Sequence, residues 1–315
     1  MENVCVNSTK KQKIKNPLFA DAWQLYALCA IPLILVFVFC YLPMGGIIIA
    51  FKNYTYAGGI FGSEWCGFNN FEFFFKSKDF LNITWNTIYM NLIFIILGTV
   101  SALTVGILLY QLTSRMTTKV FQTMLITPHF ISWVVAAYML YAIINPEFGI
   151  LNSFRENMGL DTVDYYSNPE AWPWILSVAY VWKNVGMDSV IYYAALMGIS
   201  PDLFEAAEVD GAGRWSKIRY IIIPELRSLI VMLTILKVGG IFRADFGLFY
   251  QLPQDIGALY STTDVMDTYI FRTMRVLGNM GMSSAAGLLQ SVVGFVLVMT
   301  TNTIVKKVDP DSSLF

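Results

Sequence analysis

Charge is scarce in this chain. Of 315 residues only 14% are Asp, Glu, Lys or Arg, against about a quarter in a soluble domain. That excludes an ordinary water-soluble globule, and a net charge of −1 gives no basic surface for nucleic acid. Histidine occurs once, at His129. With HExxH and GxSxG also missing, few acid–base options remain, and an intramembrane enzyme is disfavoured. There is no GxxxxGK[ST] phosphate loop, so the chain itself is not expected to hydrolyse ATP. The four cysteines, Cys5, Cys29, Cys40 and Cys66, form no CxxC pair, and neither a disulfide framework nor a metal site is read from them.

What is present is apolar: 56% hydrophobic and 15% aromatic residues. The apolar runs are long enough to span a bilayer, which takes about 20 residues. No alternating β-barrel pattern occurs, and helices satisfy their own backbone where water is absent. The expected fold is all-α, a polytopic membrane protein with six spans. They lie at roughly Trp23–Phe51, Thr84–Gln111, Val120–Asn145, Trp172–Met197, Ile221–Gly240 and Ser284–Val305. Residues 1–22 read as an N-terminal segment, 23–306 as the membrane domain and 307–315 as a tail. The lysine-rich "KKQKIKNP" before the first span reads as the flank of a retained helix, not a cleaved signal. Lys10, Lys11, Lys13, Lys15, Arg115, Lys119, Arg214, Lys217, Arg219, Lys306 and Lys307 fall on one side. The other side has fewer bases and most of the acids. By the positive-inside rule both termini are expected in the cytoplasm.

One polar stretch interrupts the second half: "ISPDLFEAAEVDGAGRWSKIRYIIIP". Ser200 suits an N-cap, Pro201 the first helical position, and Asp202 the positive end of the helix dipole. Leu203, Phe204 and Ala207 fall on one face, and Gly211 fits a left-handed helix end. The reading is a short helix, a glycine turn and a second short helix, a cytoplasmic loop over about 198–220. Such a knob suits either a groove on a partner or a place on its own bundle. The pattern resembles the signature of permease subunits of ATP-binding-cassette importers. It stands here as Glu205-Ala206-Ala207, Asp210-Gly211-Ala212 and Ile221-Ile222-Ile223-Pro224, with Ile223 where that family usually has Leu. The flanks "VWKNVGMDSVIYYAALMG", "DVMDTYIFRT" and "GLLQSVVGFVLV" are similar to the oligosaccharide and polysaccharide branch.

The resemblance implies a non-catalytic permease subunit of a carbohydrate importer in a bacterial cytoplasmic membrane. It implies a second, different permease as partner, two ATP-binding subunits that hold ATP and Mg, and an extracytoplasmic binding protein that delivers an oligosaccharide. This chain would bind no cofactor. The segment Pro201 to Ala212 would be the coupling helix and its turn, with Glu205 and Gly211 central.

Ionisable residues also occur at membrane depth, where they mark a cavity or a partner. The fourth span carries Trp182, Lys183, Asn184, Asp188 and Tyr192, and the fifth Lys237, Arg243 and Asp245, with paired glycines at Gly239 and Gly240. These are candidates for a polar translocation path, or for a structural ion pair of Asp188 with Lys183 or Lys237. His129, beside Pro128, reads as a packing or kink residue before a proton relay. Residues 68–81 read as an interfacial amphipathic helix, the small residues of the sixth span as close helix packing, and 145–171 as a lid or a functional loop. The competing hypothesis is a stand-alone ion-coupled secondary transporter, which leaves the 200–224 motif without a role.

Overall fold

The computed structural model describes residues 23–77 and 79–308, without the side chains of Trp23, Gln24, Leu25 and Val308. The lysines at 10–15, Lys78 and the tail from 309 lie outside the described residues. The chain divides at Ile48 into two units. In the first, α1 (Trp23–Val36) contains Pro32 and continues as a π-helical turn, Phe37–Tyr41. A 3₁₀ segment, Leu42–Phe51, follows. Pro43 cannot donate to the helix ladder, and the wider and tighter turns on either side of it accommodate that loss.

The second unit opens on a two-stranded ribbon, β1 (Lys52–Asn53) antiparallel to β2 (Glu64–Trp65). The helices follow. They are α2 (Asn69–Lys76), α3 (Phe80–Tyr110), α4 (Arg115–Ile126), α5 (Trp133–Ile144) and α6 (Ile150–Asn157). Next come α7 (Trp172–Leu196), α8 (Pro201–Val209), α9 (Arg227–Gly239), α10 (Phe246–Gln251), α11 (Met266–Arg275) and α12 (Met280–Val308). The fold is all-α and carries several apolar helices long enough for a membrane.

The centre of this unit is the pair α3 and α7. Gly98, Ala102 and Gly106 repeat every four residues and form a small-residue ridge on α3. A Cβ on Gly98 would lie 3.2 Å from the Tyr180 ring, and one on Gly106 3.1 Å from Cβ of Tyr192. Ala102 is fully buried. Small residues allow the backbones to approach, so dispersion and packing replace the hydrophobic effect that lipid cannot supply. Phe94 and Tyr180 stack across the same seam, 4.3 Å apart and nearly parallel. On the far side of α7, a Cβ at Gly186 would fall 1.9 Å from the carbonyl oxygen of Leu125, so only glycine lets α7 cross the end of α4. Helix α12 meets α9 in the same way, its Val298 filling the space a Cβ of Gly239 would need.

Among the described residues three helical stretches are long and apolar enough to cross a membrane, Tyr26–Phe51, Phe80–Tyr110 and Met280–Lys307, and a fourth is added if the bent pair Arg115–Phe130 and Trp133–Ile144 is one span. The sequence suggested six. The expected third span is instead two helices, α4 with its 3₁₀ end (Thr127–Phe130) and α5, bent by 99°. Pro128 removes a donor, and the Ser132 hydroxyl accepts from Val135 N–H at 3.3 Å, starting a new helix. The expected fourth span is a 25-residue helix, α7, which has the length but carries Lys183, Asn184 and Asp188. The expected fifth is shortened to the 13 residues of α9. Pro224 follows a π turn at Ile218–Ile222, and the chain breaks again at Leu226.

The stretch 255–275 is locked by a buried charge cluster. Asp264 accepts from Arg272 at 2.5 Å and from the Thr268 hydroxyl at 2.8 Å. The guanidinium lies 4.1 Å above the Tyr260 ring. Asn86 of α3 donates to the carbonyls of Ser261 and Asp264, at 3.0 and 3.1 Å. Within 68–81, Phe74 is buried against Tyr269 and Phe80 while Phe73 is exposed, which gives α2 its two faces. In 145–171, the buried Asn152 amide ties Asn145 O to Val163 O, so this loop is ordered by its own hydrogen bonds.

Arg272→Met strands the Asp264 carboxylate without its cation. A loss of about 3 kcal/mol is expected, as for other broken buried pairs. It reads as a lowered Tm of the purified protein in detergent. Adding Asp264→Asn removes the stranded charge and should recover part of that loss.

Candidate functional site

Two regions hold the candidate residues. The first is the polar loop. Ser200 Oγ accepts from Asp202 N–H at 3.3 Å and caps α8, which begins with Pro201. The helix ends in a left-handed turn: Gly211 has φ +77°. There Ala212 N–H donates to Ala207 O at 2.8 Å, and Gly211 N–H to Glu208 O at 3.0 Å. Helix α8 is tied to the bundle on one face only. Phe204 packs on Tyr110, 5.8 Å between ring centres, within a cluster that includes Ile199 and Ile218. Ala207 is half-buried. Pro201, Asp202, Leu203, Glu205, Ala206, Asp210 and Gly211 are exposed, and Ala212 is half-buried. The face expected from Leu203, Phe204 and Ala207 is therefore divided, with Phe204 turned inward and Leu203 outward. Glu208 pairs with Lys217 at 2.5 Å across the turn. Nothing lies within 4 Å of a Cβ built on Gly211, so its glycine is required by φ alone.

The second region is polar and lies within the bundle. A cavity of about 200 Å³ is lined by Asn91, Phe94, Ile95, Tyr180, Lys237, Gly240, Arg243 and Asp245. Lys237 at its wall pairs with Asp188 at 2.9 Å, so these two charges neutralise each other. The Asn91 amide donates to Ile241 O at 2.9 Å, covering a carbonyl freed where α9 ends. Arg243 is exposed and makes no ion pair among the described residues. The carboxylate of Asp245 is engaged at both oxygens: Oδ1 accepts from Leu248 N–H at 3.3 Å, and Oδ2 from the Trp133 indole N–H at 2.7 Å.

The remaining candidates lie elsewhere. Lys183 is 8% exposed and points into the break between α4 and α5. Its ammonium donates to His129 O at 3.0 Å, to Pro128 O at 3.5 Å and to Ile131 O. The Trp133 ring lies 5.0 Å from it. His129 thus contributes its carbonyl here, while its buried Nδ1 has no hydrogen-bond partner among the described residues. Asn184 donates to Tyr180 O of its own helix at 3.0 Å. Tyr192 is buried in the seam with α3. Trp182 lines a separate apolar groove of about 490 Å³ with Trp174, Met139 and Ile143.

So Lys237, Arg243 and Asp245 share one cavity, and Asp188 reaches it through Lys237. Lys183 connects to it through Trp133. Asn91, Phe94, Tyr180 and Trp133 were not among the sequence candidates. Asn91 had a signal, an amide in an otherwise apolar run. The three aromatic residues had none, because they are common in spans of every kind.

The sequence profile described as "Binding-protein-dependent transport system inner membrane component" matches residues 95–310. The chain is 30% identical to Protein LplB of Bacillus subtilis (strain 168), over 92% of its own length and 91% of that protein's. It is 31% identical to the polygalacturonan/rhamnogalacturonan transport system permease protein YteP of the same organism, over 95% and 93%. Its fold is similar to a subunit in a crystal structure of bacterial alginate ABC transporter in complex with alginate pentasaccharide-bound periplasmic protein. The TM-score is 0.82 and the identity 31%, over 91% of this chain and 95% of that one.

Gly211→Val should misplace the turn without meeting a neighbour. A β-branched residue at φ +77° is strained by about 1–2 kcal/mol. Transport is expected to fall severalfold in membrane vesicles while the amount of inserted protein, read by immunoblot, stays near wild type. Gly211→Asn, which tolerates this φ better, should retain more transport.

Proposed function

The chain belongs to the family of binding-protein-dependent transport system inner membrane components, and from that premise we propose how its two polar regions divide the work of import. It is a permease component of a carbohydrate importer of the ATP-binding-cassette class, resident in a bacterial inner membrane. Such a component is non-catalytic. We propose that it crosses the membrane six times with both termini in the cytoplasm, the broken α4–α5 stretch, α7 and the broken stretch that ends in α9 being counted as spans with the three long helices. The segment Pro201–Ala212 then docks in a cleft of an ATP-binding subunit, Leu203 and Glu205 facing it. ATP and Mg are held by two such subunits, and closure of that pair is transmitted through the Gly211 turn. The observation that carries this reading is the exposed face of α8. It bears the Glu205–Gly211 signature inside the matched residues 95–310.

The other permease of the assembly is a second, different chain. An extracytoplasmic binding protein delivers cargo to the outer mouth, as in the alginate transporter crystallised with its loaded periplasmic protein. The cavity between α3, α7 and α9 is part of the cargo path. Aromatic faces at Phe94 and Tyr180 suit sugar rings, and Lys237, Arg243 and Asp245 supply polar contacts. Its cargo is an acidic oligosaccharide. Two observations support that choice. The relatives named for their cargo carry polygalacturonan/rhamnogalacturonan, alginate or sn-glycerol-3-phosphate, each of them anionic, and Arg243 stands exposed beside the cavity with no ion pair among the described residues. The ion-coupled transporter reading finds no support in these matches.

A tagged chain drawn from its native membrane in mild detergent is expected to bring an ATP-binding subunit and a second permease, identified by mass spectrometry. A chain that emerges alone and still transports after reconstitution would refute the reading. In the reconstituted importer, Arg243→Gln should lower uptake of trigalacturonate about tenfold and leave uptake of a neutral trisaccharide within twofold, the scale of one hydrogen bond to a charged group. Equal losses for both sugars would remove Arg243 from cargo selection.

A further inference from the structure

Lys183 is a cation at membrane depth without a carboxylate. Among the described residues no acidic group lies in ion-pair range of it. Asp188, five residues along the same helix, is taken by Lys237. The ammonium is instead held by the carbonyls of Pro128, His129 and Ile131 at the C-terminal end of the broken helix, where the dipole is negative, and is covered by the Trp133 ring. The same indole uses its edge elsewhere. Its N–H reaches Asp245 Oδ2 at 2.7 Å. The ring is pinned from behind, since a Cβ on Gly247 would fall 2.3 Å from Trp133 Cδ1. Lys183, Trp133 and Asp245 therefore form one chain of contacts that starts in a buried cage of carbonyls and ends on the cavity wall.

We propose that Lys183 is a positioning residue for cargo passage: its caged ammonium holds the Trp133 indole, and the indole fixes the Asp245 carboxylate as an oriented acceptor for sugar hydroxyls. Asp245 is exposed toward the cavity, and Arg243, two residues earlier, offers a donor beside it. A carboxylate next to a guanidinium matches a sugar ring that carries hydroxyls and an acid group. Leu248 N–H holds Oδ1, and an Oδ2 released by the indole would instead swing toward Arg243 and quench both. The proposal rests on the cavity being the cargo path.

The test uses the intact importer in liposomes with its binding protein, measuring uptake of trigalacturonate and ATP hydrolysis together. Trp133→Phe keeps an aromatic ring beside Lys183 and removes the N–H together with part of the indole; Lys183→Gln removes the charge. Each is expected to lower cargo moved per ATP about tenfold, the effect of one hydrogen bond to a carboxylate. The double variant should be no worse than either single one, because both act through Asp245. Uptake and hydrolysis falling in proportion would mean a purely structural role and overturn the proposal, as would losses that multiply. A second readout needs no cargo. With 5-fluorotryptophan incorporated, the resonance missing from Trp133→Phe is expected to shift in Lys183→Gln. An unmoved resonance would overturn the proposal even if Lys183→Gln transports poorly. A wild-type importer that carries trigalacturonate no better than neutral sugars bears on the cargo assignment, and the fluorine shift then decides the role of Lys183 alone.

Discussion

A backbone carbonyl in hydrocarbon has no water to turn to, and this constraint shapes the inner bundle. Several irregularities among the described helices are met by a specific side-chain donor. Where α4 breaks, three carbonyls receive the Lys183 ammonium. Where α9 ends, Asn91 covers Ile241 O and Gln290 covers Phe242 O. At the 255–275 stretch Asn86 serves two carbonyls at once. Leaving any such group unpaired costs several kcal/mol in lipid. The polar side chains of the spans are thus placed by the breaks as much as by any ligand, and the breaks bring irregular backbone beside the cavity.

This explains which parts of the architecture were legible in the sequence. Long apolar runs marked α3 and α12 to within a few residues, because nothing interrupts them. Ser200, Pro201 and Gly211 marked α8 and its turn, since caps and left-handed glycines act locally. The bend at Thr127–Ser132 was harder to see. Pro128 stood in the run, but Pro32 stands in one too, and there the helix continues. The difference at Pro128 is a tertiary one: Lys183 arrives from α7 to stabilise the open end, and no local pattern carries that. Lys183 itself looked like a path residue for the same reason, its charge being visible and its partners not. The Asp188–Lys237 pair was among the alternatives, but only the crossing of α7 and α9 decides between Lys183 and Lys237.

The two candidate regions are continuous in the packing. Helix α7 carries Lys183 and Asp188 in its middle and leads through Ser200 directly into α8. The seam of α7 with α3 is glycine-tight along its length, at Gly98, Ala102 and Gly106. Tyr110, at the end of α3, is the residue on which Phe204 rests. A push on α8 therefore meets a stiff, closely packed pair and reaches the cavity wall at Phe94 and Tyr180. The compliant points are the breaks, at Thr127–Ser132 and beyond Gly239.

The cage around Lys183 also constrains how the protein is made. Its carbonyls belong to residues 128–131, and its cation follows 52 to 55 positions later in the chain. During synthesis α4 and α5 are complete before α7 exists, with open carbonyls that lipid cannot satisfy. Lysine at the middle of α7 is equally unsuited to enter lipid by itself. Each segment carries what the other lacks, so neither is satisfied in lipid until the two have met.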